Sequence, residues 1–156
     1  MSEQSNDKSR LYDDVARCLA PTGDRTTRMR AVIDALWPVL RETGCSWIGF
    51  YTHESGDELI LGPREPKPAC SPIGLHGACG QVFTSRQPLV VRDVADLGEN
   101  YVACDPRDKS EVVVPCLEPD GTCWGVLDLD SHAVGCFAPD DVTGLTLVLR
   151  AAGLTA

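Results

Sequence analysis

The sequence predicts one α+β domain, built on an antiparallel sheet of about six strands with helices on one face and loops on the other. Two observations favour this class: β-rich segments follow one another through short turns, and helical patterns lie at both ends of the chain. Its 156 residues are enough for one domain with a sizeable core. We assign residues 11–156 to this domain and expect the polar residues 1–10 to be disordered.

Two helices are predicted near the N-terminus from apolar periodicity and capping residues. The first covers residues 11–19. The second covers residues 24–43, with Asp24 as N-cap and Gly44 as the stop signal. Pro38 lies inside the second helix and removes a hydrogen bond, so we expect a kink or an interruption there. The apolar stripe of this helix consists of Met29, Val32, Ile33, Leu36 and Leu40.

The middle of the chain alternates between strands and loops. Residues 46–52 and 58–61 form a predicted hairpin, and residues 88–92 form a further strand. Between them lie a long, proline-rich loop over residues 62–72 and a short helix over residues 77–85. A loop of this length is either functional or flexible.

Two cysteines lie in this middle region. Cys70 is in the long loop, and Cys79 falls in the first turn of the short helix. The helix dipole favours the thiolate at that position. A last helix is predicted to begin near residue 137 and to end near Ala152, with a proline and acidic residues in its first turn.

A second hairpin is predicted over residues 111–130, around the turn Pro119-Asp120-Gly121. Because side chains alternate along a strand, Asp128 and Asp130 share one face. The same alternation predicts that Trp124 and Val126 lie on that face, and that Cys123, Gly125, Leu127 and Leu129 point towards the core. A solvated outer face is the plain alternative for such paired aspartates.

Whether Glu111 joins the two aspartates depends on strand register. A turn of even length places Glu111 beside them, whereas a three-residue turn places it opposite Leu129. Pro115 favours a bulge within the first strand, since proline cannot donate to a ladder, and a bulge there restores the parity. We therefore predict that Glu111, Asp128 and Asp130 converge, with Cys104 in the loop just before them.

Composition excludes several classes of function. The net charge of −9 argues against binding to nucleic acid or to a membrane surface. No apolar run is long enough to span a bilayer, and the polar N-terminus lacks a signal core, so we expect a cytoplasmic protein. Structural disulfides are rare in that compartment, and without a C-x-x-C pair no metal site is predicted for the eight cysteines. Cys70, Cys79 and Cys104 lie in loop-like sequence, which indicates thiol redox chemistry; incidental loop cysteines are the alternative.

Seven short motifs, in unbroken order over residues 45–141, resemble the free methionine-R-sulfoxide reductases, which are stand-alone GAF domains. They are WIGFY at 47–51, LILGP at 59–63, KPAC at 67–70, GACG at 77–80, VACD at 102–105, SEVVVP at 110–115 and GVLDLDS at 125–131. The resemblance implies a GAF-like fold. The chain departs from the family pattern at residues 64–66 and between Cys70 and Cys79, on the loop expected to deliver the resolving thiol.

The resemblance also implies a role for each matching residue. Cys104 matches the nucleophile, Cys70 its resolving partner and Cys79 a third redox cysteine. Which of Cys70 and Cys79 resolves Cys104 stays open. The residues that match the substrate pocket are Trp47, Tyr51, Glu111, Asp128 and Asp130.

The reaction implied is the reduction of free L-methionine-(R)-sulfoxide to methionine. It proceeds through a cysteine sulfenic acid and an intramolecular disulfide. No bound cofactor is expected; thioredoxin and NADPH act as the external reducing system, and a homodimer is typical of the family resembled. Three alternatives remain: a GAF module that binds a small ligand without catalysis, a redox-sensing module, and an enzyme on the same scaffold that acts on another small amino-acid-like substrate.

Overall fold

A computed structural model describes the backbone of residues 2–100 and 105–156, and the side chains of residues 8–98 and 105–156. Within these residues the chain forms four α-helices and six strands. The helices are Ser2–Arg17 (α1), Arg25–Leu40 (α2), Ala78–Ser85 (α3) and Pro139–Ala151 (α4). The strands are Cys45–Thr52 (β1), Glu58–Glu65 (β2), Ile73–Gly74 (β3), Leu89–Val91 (β4), Ser110–Leu117 (β5) and Cys123–Ser131 (β6).

The six strands form one antiparallel sheet in the order β3-β2-β1-β6-β5-β4. The two predicted hairpins are β1–β2 and β5–β6, and they join in the centre of the sheet where β6 pairs with β1. This arrangement confirms the predicted α+β class. It also places β6 of the second hairpin beside β1 of the first. Side chains of the two hairpins can therefore meet on either face of the sheet.

The two faces of the sheet carry different layers. On one face, buried apolar side chains of β1, β5 and β6 pack against α1, α2 and α4 in the main core. On the other face, a smaller cluster joins Trp47 and Tyr51 of β1 to Ala78, Cys79 and Val82 of α3. The three long helices therefore share one face, as predicted, and the short helix α3 lies with the loops on the opposite face.

The β5–β6 hairpin has a bulge, but not where the sequence analysis placed it. Pro115 pairs regularly with Val126, and the register shifts instead between Cys116 and Leu117. That shift leaves Trp124 as the extra residue on β6. Because β4 pairs with β5 only as far as Val113, the missing N–H of Pro115 lies beyond the β4 ladder.

The bulge also overturns the predicted facing of two side chains. Trp124 turns into the helix-side core, where its ring stacks on Phe50 with centroids 6.5 Å apart and its indole N–H donates to the carbonyl of Leu154 at 3.0 Å. Cys123 turns to the opposite face and joins the cluster around Trp47 and Tyr51. One extra residue reverses the alternation at these two positions, while Val126, Asp128 and Asp130 keep theirs.

The first helix begins earlier than predicted. α1 spans Ser2–Arg17, so it includes residues 2–10, for which we expected a disordered tail. Lys8 of this segment donates to the carbonyl of Cys136 at 2.7 Å, and its ammonium lies 3.3 Å from Asp141 of α4. Further along α1, the hydroxyl of Tyr12 donates to Asp141 at 2.6 Å. These long-range contacts give the segment a tertiary partner that local sequence does not reveal.

The second helix has the predicted N-cap and is shorter than predicted. Asp24 accepts a hydrogen bond from the backbone N–H of Thr27 at 2.8 Å. After Pro38 the α-helix continues only to Leu40, and Arg41–Thr43 forms a 3-10 turn that ends at Gly44 with φ of 103°. The interruption expected near the proline is thus a tightening of the last turn.

No helix in the described residues is long and apolar enough to cross a membrane.

Candidate active site

Three carboxyl groups meet on the face of the sheet that α3 and the loops cover. Glu111 on β5 lies directly opposite Asp130 on β6, and Asp128 is two residues away on the same face. Glu111 and Asp128 are each only 5% exposed. Each of the three side chains has one carboxyl oxygen that is fully buried and makes no hydrogen bond to a described residue. The predicted convergence of the three carboxyls is therefore present.

Burial and mutual repulsion change the protonation of these carboxyl groups. Desolvation, followed by the charges of Asp128 and Asp130, raises the pKa of Glu111 well above its usual value. Desolvation and the neighbouring Asp128 and Asp108 raise the pKa of Asp130 in the same way. Burial also raises the pKa of Asp128. Charged carboxylates can only accept hydrogen bonds, so each of these pKa shifts favours a protonated carboxyl group, which can also donate one.

Trp47 and Tyr51 of β1 form the wall next to the carboxyls. Trp47 pairs with Asp130 across the β1–β6 ladder, and its indole lies over Gly49, where any Cβ would overlap the ring. The ring centroids of Trp47 and Tyr51 are 6.2 Å apart. Glycine at position 49 thus lets the indole lie flat along the strand.

The polar ends of these two aromatic residues hold the loop that carries Cys70. The indole N–H of Trp47 donates to the carbonyl of Lys67 at 2.8 Å. The hydroxyl of Tyr51 donates to the carbonyl of Cys70, also at 2.8 Å. Two side chains therefore fix this loop above the carboxyl groups. The loop is shorter than expected, because β2 continues to Glu65 and the two-residue strand β3 begins at Ile73.

A cavity of about 770 Å³ lies between the loop, α3 and the sheet. Its volume is in the range of small-molecule sites. All seven predicted site residues with described side chains line it: Trp47, Tyr51, Cys70, Cys79, Glu111, Asp128 and Asp130. The eighth, Cys104, lies outside the described residues.

Cys79 faces the carboxyl groups from α3. Its sulfur and carboxyl oxygens of Glu111 and Asp128 all lie within 4.8 Å of one another. Burial, followed by the charges of Asp128 and Glu111, raises the pKa of the Cys79 thiol well above its usual value. The predicted stabilisation of the thiolate by the helix dipole is therefore wrong, because a dipole effect at one helix end is smaller than the desolvation of a buried charge next to carboxyls.

A sequence profile of the GAF domain matches residues 24–155. The chain belongs to the GAF domain family. Protein ZMO0507 of Zymomonas mobilis is 31% identical over 97% of this chain and 95% of its own length. The free methionine-R-sulfoxide reductase of Escherichia coli is 39% identical over 67% of this chain and 62% of the enzyme. The structure of free methionine-R-sulfoxide reductase from Staphylococcus aureus in complex with its substrate has a TM-score of 0.80, with 30% identity and 94% coverage of each chain.

These similarities confirm the resemblance found in the motifs. They include a GAF protein named as a reductase of free methionine-R-sulfoxide and one solved with its substrate. This GAF domain shares the fold of the Staphylococcus aureus protein over nearly its whole length, and its cavity lies on the face of the sheet where the motif residues converge.

Seven of the eight cysteines lie among the described residues, and they fall into distinct environments. Cys45, Cys79, Cys116 and Cys123 are buried free thiols, Cys136 is half-buried and Cys18 is exposed. Cys70 is disulfide-bonded and lines the cavity. Buried thiols in apolar cores behave as small apolar side chains. Cys70 and Cys79 are therefore the described cysteines placed for chemistry in the cavity.

A second polar cluster at the cavity was not predicted. Asp105 accepts hydrogen bonds from Arg107 at 2.9 and 3.0 Å and lies 3.4 Å from His132 and 3.6 Å from the ammonium of Lys67. Asp108, only 7% exposed, lies 3.8 Å from His132. The alternation of side chains along β6 gave one signal for this cluster. His132 has the same parity as Asp128 and Asp130 and is therefore expected on the same face. Nothing in the local pattern marked Asp108 as buried.

Two triads of this site have donor atoms close enough to hold a cation. They are Cys79, Glu111 and Asp128, and the more exposed set Asp105, Asp108 and His132; within each triad the donor atoms lie within 4.8 Å of one another. The raised pKa values of Cys79 and Glu111 disfavour the deprotonated forms that bind metals. The expectation of a site without metal stays a prediction.

Proposed function

We propose that this GAF domain is a thiol-dependent reductase of free L-methionine-(R)-sulfoxide. The observation that carries the proposal is the convergence of Glu111, Asp128 and Asp130 in a cavity under the Cys70 loop, each with a buried oxygen that has no hydrogen-bond partner among the described residues. Unpartnered buried carboxyl oxygens are costly unless a ligand satisfies them. The relatives named as free methionine-R-sulfoxide reductases support this choice of substrate.

The cavity suits a free amino acid better than a methionine within a polypeptide. A free amino acid carries an ammonium group, which can donate charge-assisted hydrogen bonds to the ionised members of the carboxyl cluster. A peptide-linked methionine has no such group, and so leaves the buried oxygens unsatisfied. The indole of Trp47 provides an apolar surface for the S-methyl group next to Asp130.

In the first step, the Cys104 sulfur attacks the sulfur of the sulfoxide and forms a transient sulfur–sulfur bond. This bond and the sulfur–oxygen bond of the substrate break as the oxygen passes to the cysteine sulfur, so methionine is released and a cysteine sulfenic acid forms. The sulfoxide is reduced by two electrons and the cysteine is oxidised by two. A protonated carboxyl of the cluster donates a hydrogen bond or a proton to the oxygen during this transfer, and takes the proton back from the cysteine thiol.

In the second step, Cys70 condenses with the sulfenic acid of Cys104, which forms a disulfide and releases water. Cys70 suits this role because its loop borders the cavity and its sulfur is already disulfide-bonded in the structure. Thioredoxin then reduces the disulfide by thiol exchange and returns both thiols, while thioredoxin reductase transfers the electrons from NADPH. We propose Cys79 as an alternative resolving thiol, although its burial disfavours attack.

Consumption of NADPH with thioredoxin and thioredoxin reductase tests the proposal. We expect the wild-type protein to oxidise NADPH with free methionine-(R)-sulfoxide and to leave the (S) epimer unreacted. A chiral pocket with a fixed cluster of donors distinguishes the two epimers, since only one places its oxygen at the protonated carboxyl. If neither epimer is consumed but methionine or its sulfoxide binds, a GAF module without catalysis is the correct description. Equal rates with both epimers contradict the proposed geometry.

A further inference from the structure

The carboxyl cluster provides partners for the ammonium group of a free amino acid, but the carboxylate of the same molecule also needs one. An anion that enters a cavity lined by several acidic groups is repelled unless a cation lies close by. Ammonium and carboxylate are attached to the same carbon, so their two partners must lie on adjacent walls of the cavity. The basic residues among the described lining of the cavity are Lys67, Arg107 and His132.

Two of these three basic side chains are committed to other groups. The guanidinium of Arg107 makes two hydrogen bonds to Asp105, at 3.0 and 2.9 Å, in the planar geometry that arginine and carboxylate prefer. His132 lies between Asp105 and Asp108, 3.4 and 3.8 Å from their oxygens. Neither can turn to a ligand without leaving an acidic partner.

The ammonium group of Lys67 makes a weak ion pair, whereas its backbone carbonyl accepts a short hydrogen bond. Its ammonium lies 3.6 Å from Asp105, beyond good hydrogen-bond distance, and its side chain is 53% exposed. An exposed ion pair of this kind contributes little to stability. Its backbone carbonyl, in contrast, accepts the hydrogen bond from the indole of Trp47 at 2.8 Å, which fixes the base of the side chain beside the proposed substrate wall.

Asp105 does not depend on Lys67. Its two strong partners come from Arg107, which is the main reason that its pKa is lowered. Asp108 lies close enough to Lys67 and to Asp128 for both charges to act on its carboxyl group, so the lysine and the buried cluster are neighbours across Asp108. Because Lys67 lines the same cavity as the cluster, it can leave Asp105 satisfied and turn towards a ligand held there.

We propose that Lys67 binds the α-carboxylate of the amino-acid substrate, and that it thereby selects free amino acids over their neutral derivatives. The inference rests on the proposed function. It adds a partner for the carboxylate of the substrate, whose ammonium group binds the carboxyl cluster. While the cavity is empty, the carboxylate of Asp105 occupies the place near the ammonium of Lys67 that the substrate carboxylate takes on binding.

Single turnover of the pre-reduced protein, with methionine formed as a function of substrate concentration, tests this proposal without recycling. We compare free methionine-(R)-sulfoxide with its carboxamide, which keeps the ammonium and the sulfoxide but lacks the negative charge. For Lys67→Met we expect half-saturation by the free acid to need about tenfold more substrate, the size of one lost charged contact. The saturated rate and the half-saturation by the amide should change less than twofold, and Lys67→Arg should restore most of the loss.

Lys109→Met is the matched control, since Lys109 is exposed and lies outside the cavity lining. It should leave both substrates unchanged. The proposal is overturned if Lys67→Met affects acid and amide equally, if it affects neither, or if Arg107→Met alone produces the selective loss. Failure of the proposed function has a different signature, because the wild-type protein then forms no methionine from either substrate.

Discussion

Among the single side chains, Glu111 has the largest consequence for function. Its burial beside Asp128 and Asp130 raises its pKa well above the usual value and favours the protonated form. The convergence could be predicted from sequence because two aspartates two residues apart must share a strand face. The environment of Cys79 could not, because its position next to the same carboxyls depends on how α3 packs across the sheet.

The raised pKa of Glu111 predicts how stability depends on pH. As pH rises above about 4.3, the unfolded chain releases the Glu111 proton while the folded protein still retains it. The stabilisation is therefore complete below that pH and is lost as the pH rises towards the folded pKa. Relative to Glu111→Gln, the wild-type protein should lose up to about 1.4 kcal/mol per pH unit as the pH rises above about 4.3, until the raised pKa of the folded protein is reached.

Urea unfolding at several pH values measures this difference. Glu58→Gln, which removes an exposed glutamate of β2, is the matched control for the loss of a carboxyl group. A difference between wild type and Glu111→Gln that stays constant with pH would mean that Glu111 titrates normally in the folded protein.

Among the secondary-structure elements, β6 connects fold and site. Its predicted alternation holds from Val126 to Asp130 and fails at Trp124, where one bulged residue reverses the facing. Local sequence showed that a bulge was needed for Glu111 to face the aspartates, and Pro115 was the visible candidate. The bulge lies at Trp124 because it turns the indole into the core. There the ring stacks on Phe50, its N–H donates to the carbonyl of Leu154, and the guanidinium of Arg25 lies over the ring. All three partners are distant in sequence.

The packing of α1 on α4 gives a prediction for stability. A Cβ at Gly144 would overlap the ring of Tyr12, whose hydroxyl is bonded to the buried Asp141. We expect Gly144→Ala to destabilise the protein by about 1–3 kcal/mol, although alanine favours helix, because the ring has no free space to move into. The neighbouring exposed variant Thr143→Ala should stay within about 0.5 kcal/mol. Thermal or urea unfolding compares the two, and equal stabilities would show that α1 adapts at no cost.

At the scale of the whole molecule, one face of the sheet carries the main core and the other carries the candidate active site. Three long helices cover one face and supply the main core, which leaves the opposite face to hold α3, the Cys70 loop and the carboxyl cluster. Hairpin order and terminal helices were enough to predict this division. The pairing of β6 with β1, which places Trp47 opposite Asp130, is a long-range contact that no local pattern encodes.

The central claim is that a cysteine next to this cluster reduces free methionine-(R)-sulfoxide. The most direct measurement is the amount of methionine formed per molecule of pre-reduced protein, without thioredoxin. We expect about one equivalent from the wild-type protein and from Cys70→Ser, since the resolving thiol acts after the first transfer. Cys104→Ser should form none. One equivalent from Cys104→Ser would contradict the account and assign the nucleophile to another thiol of the cavity, of which Cys79 is the nearest to the carboxyls.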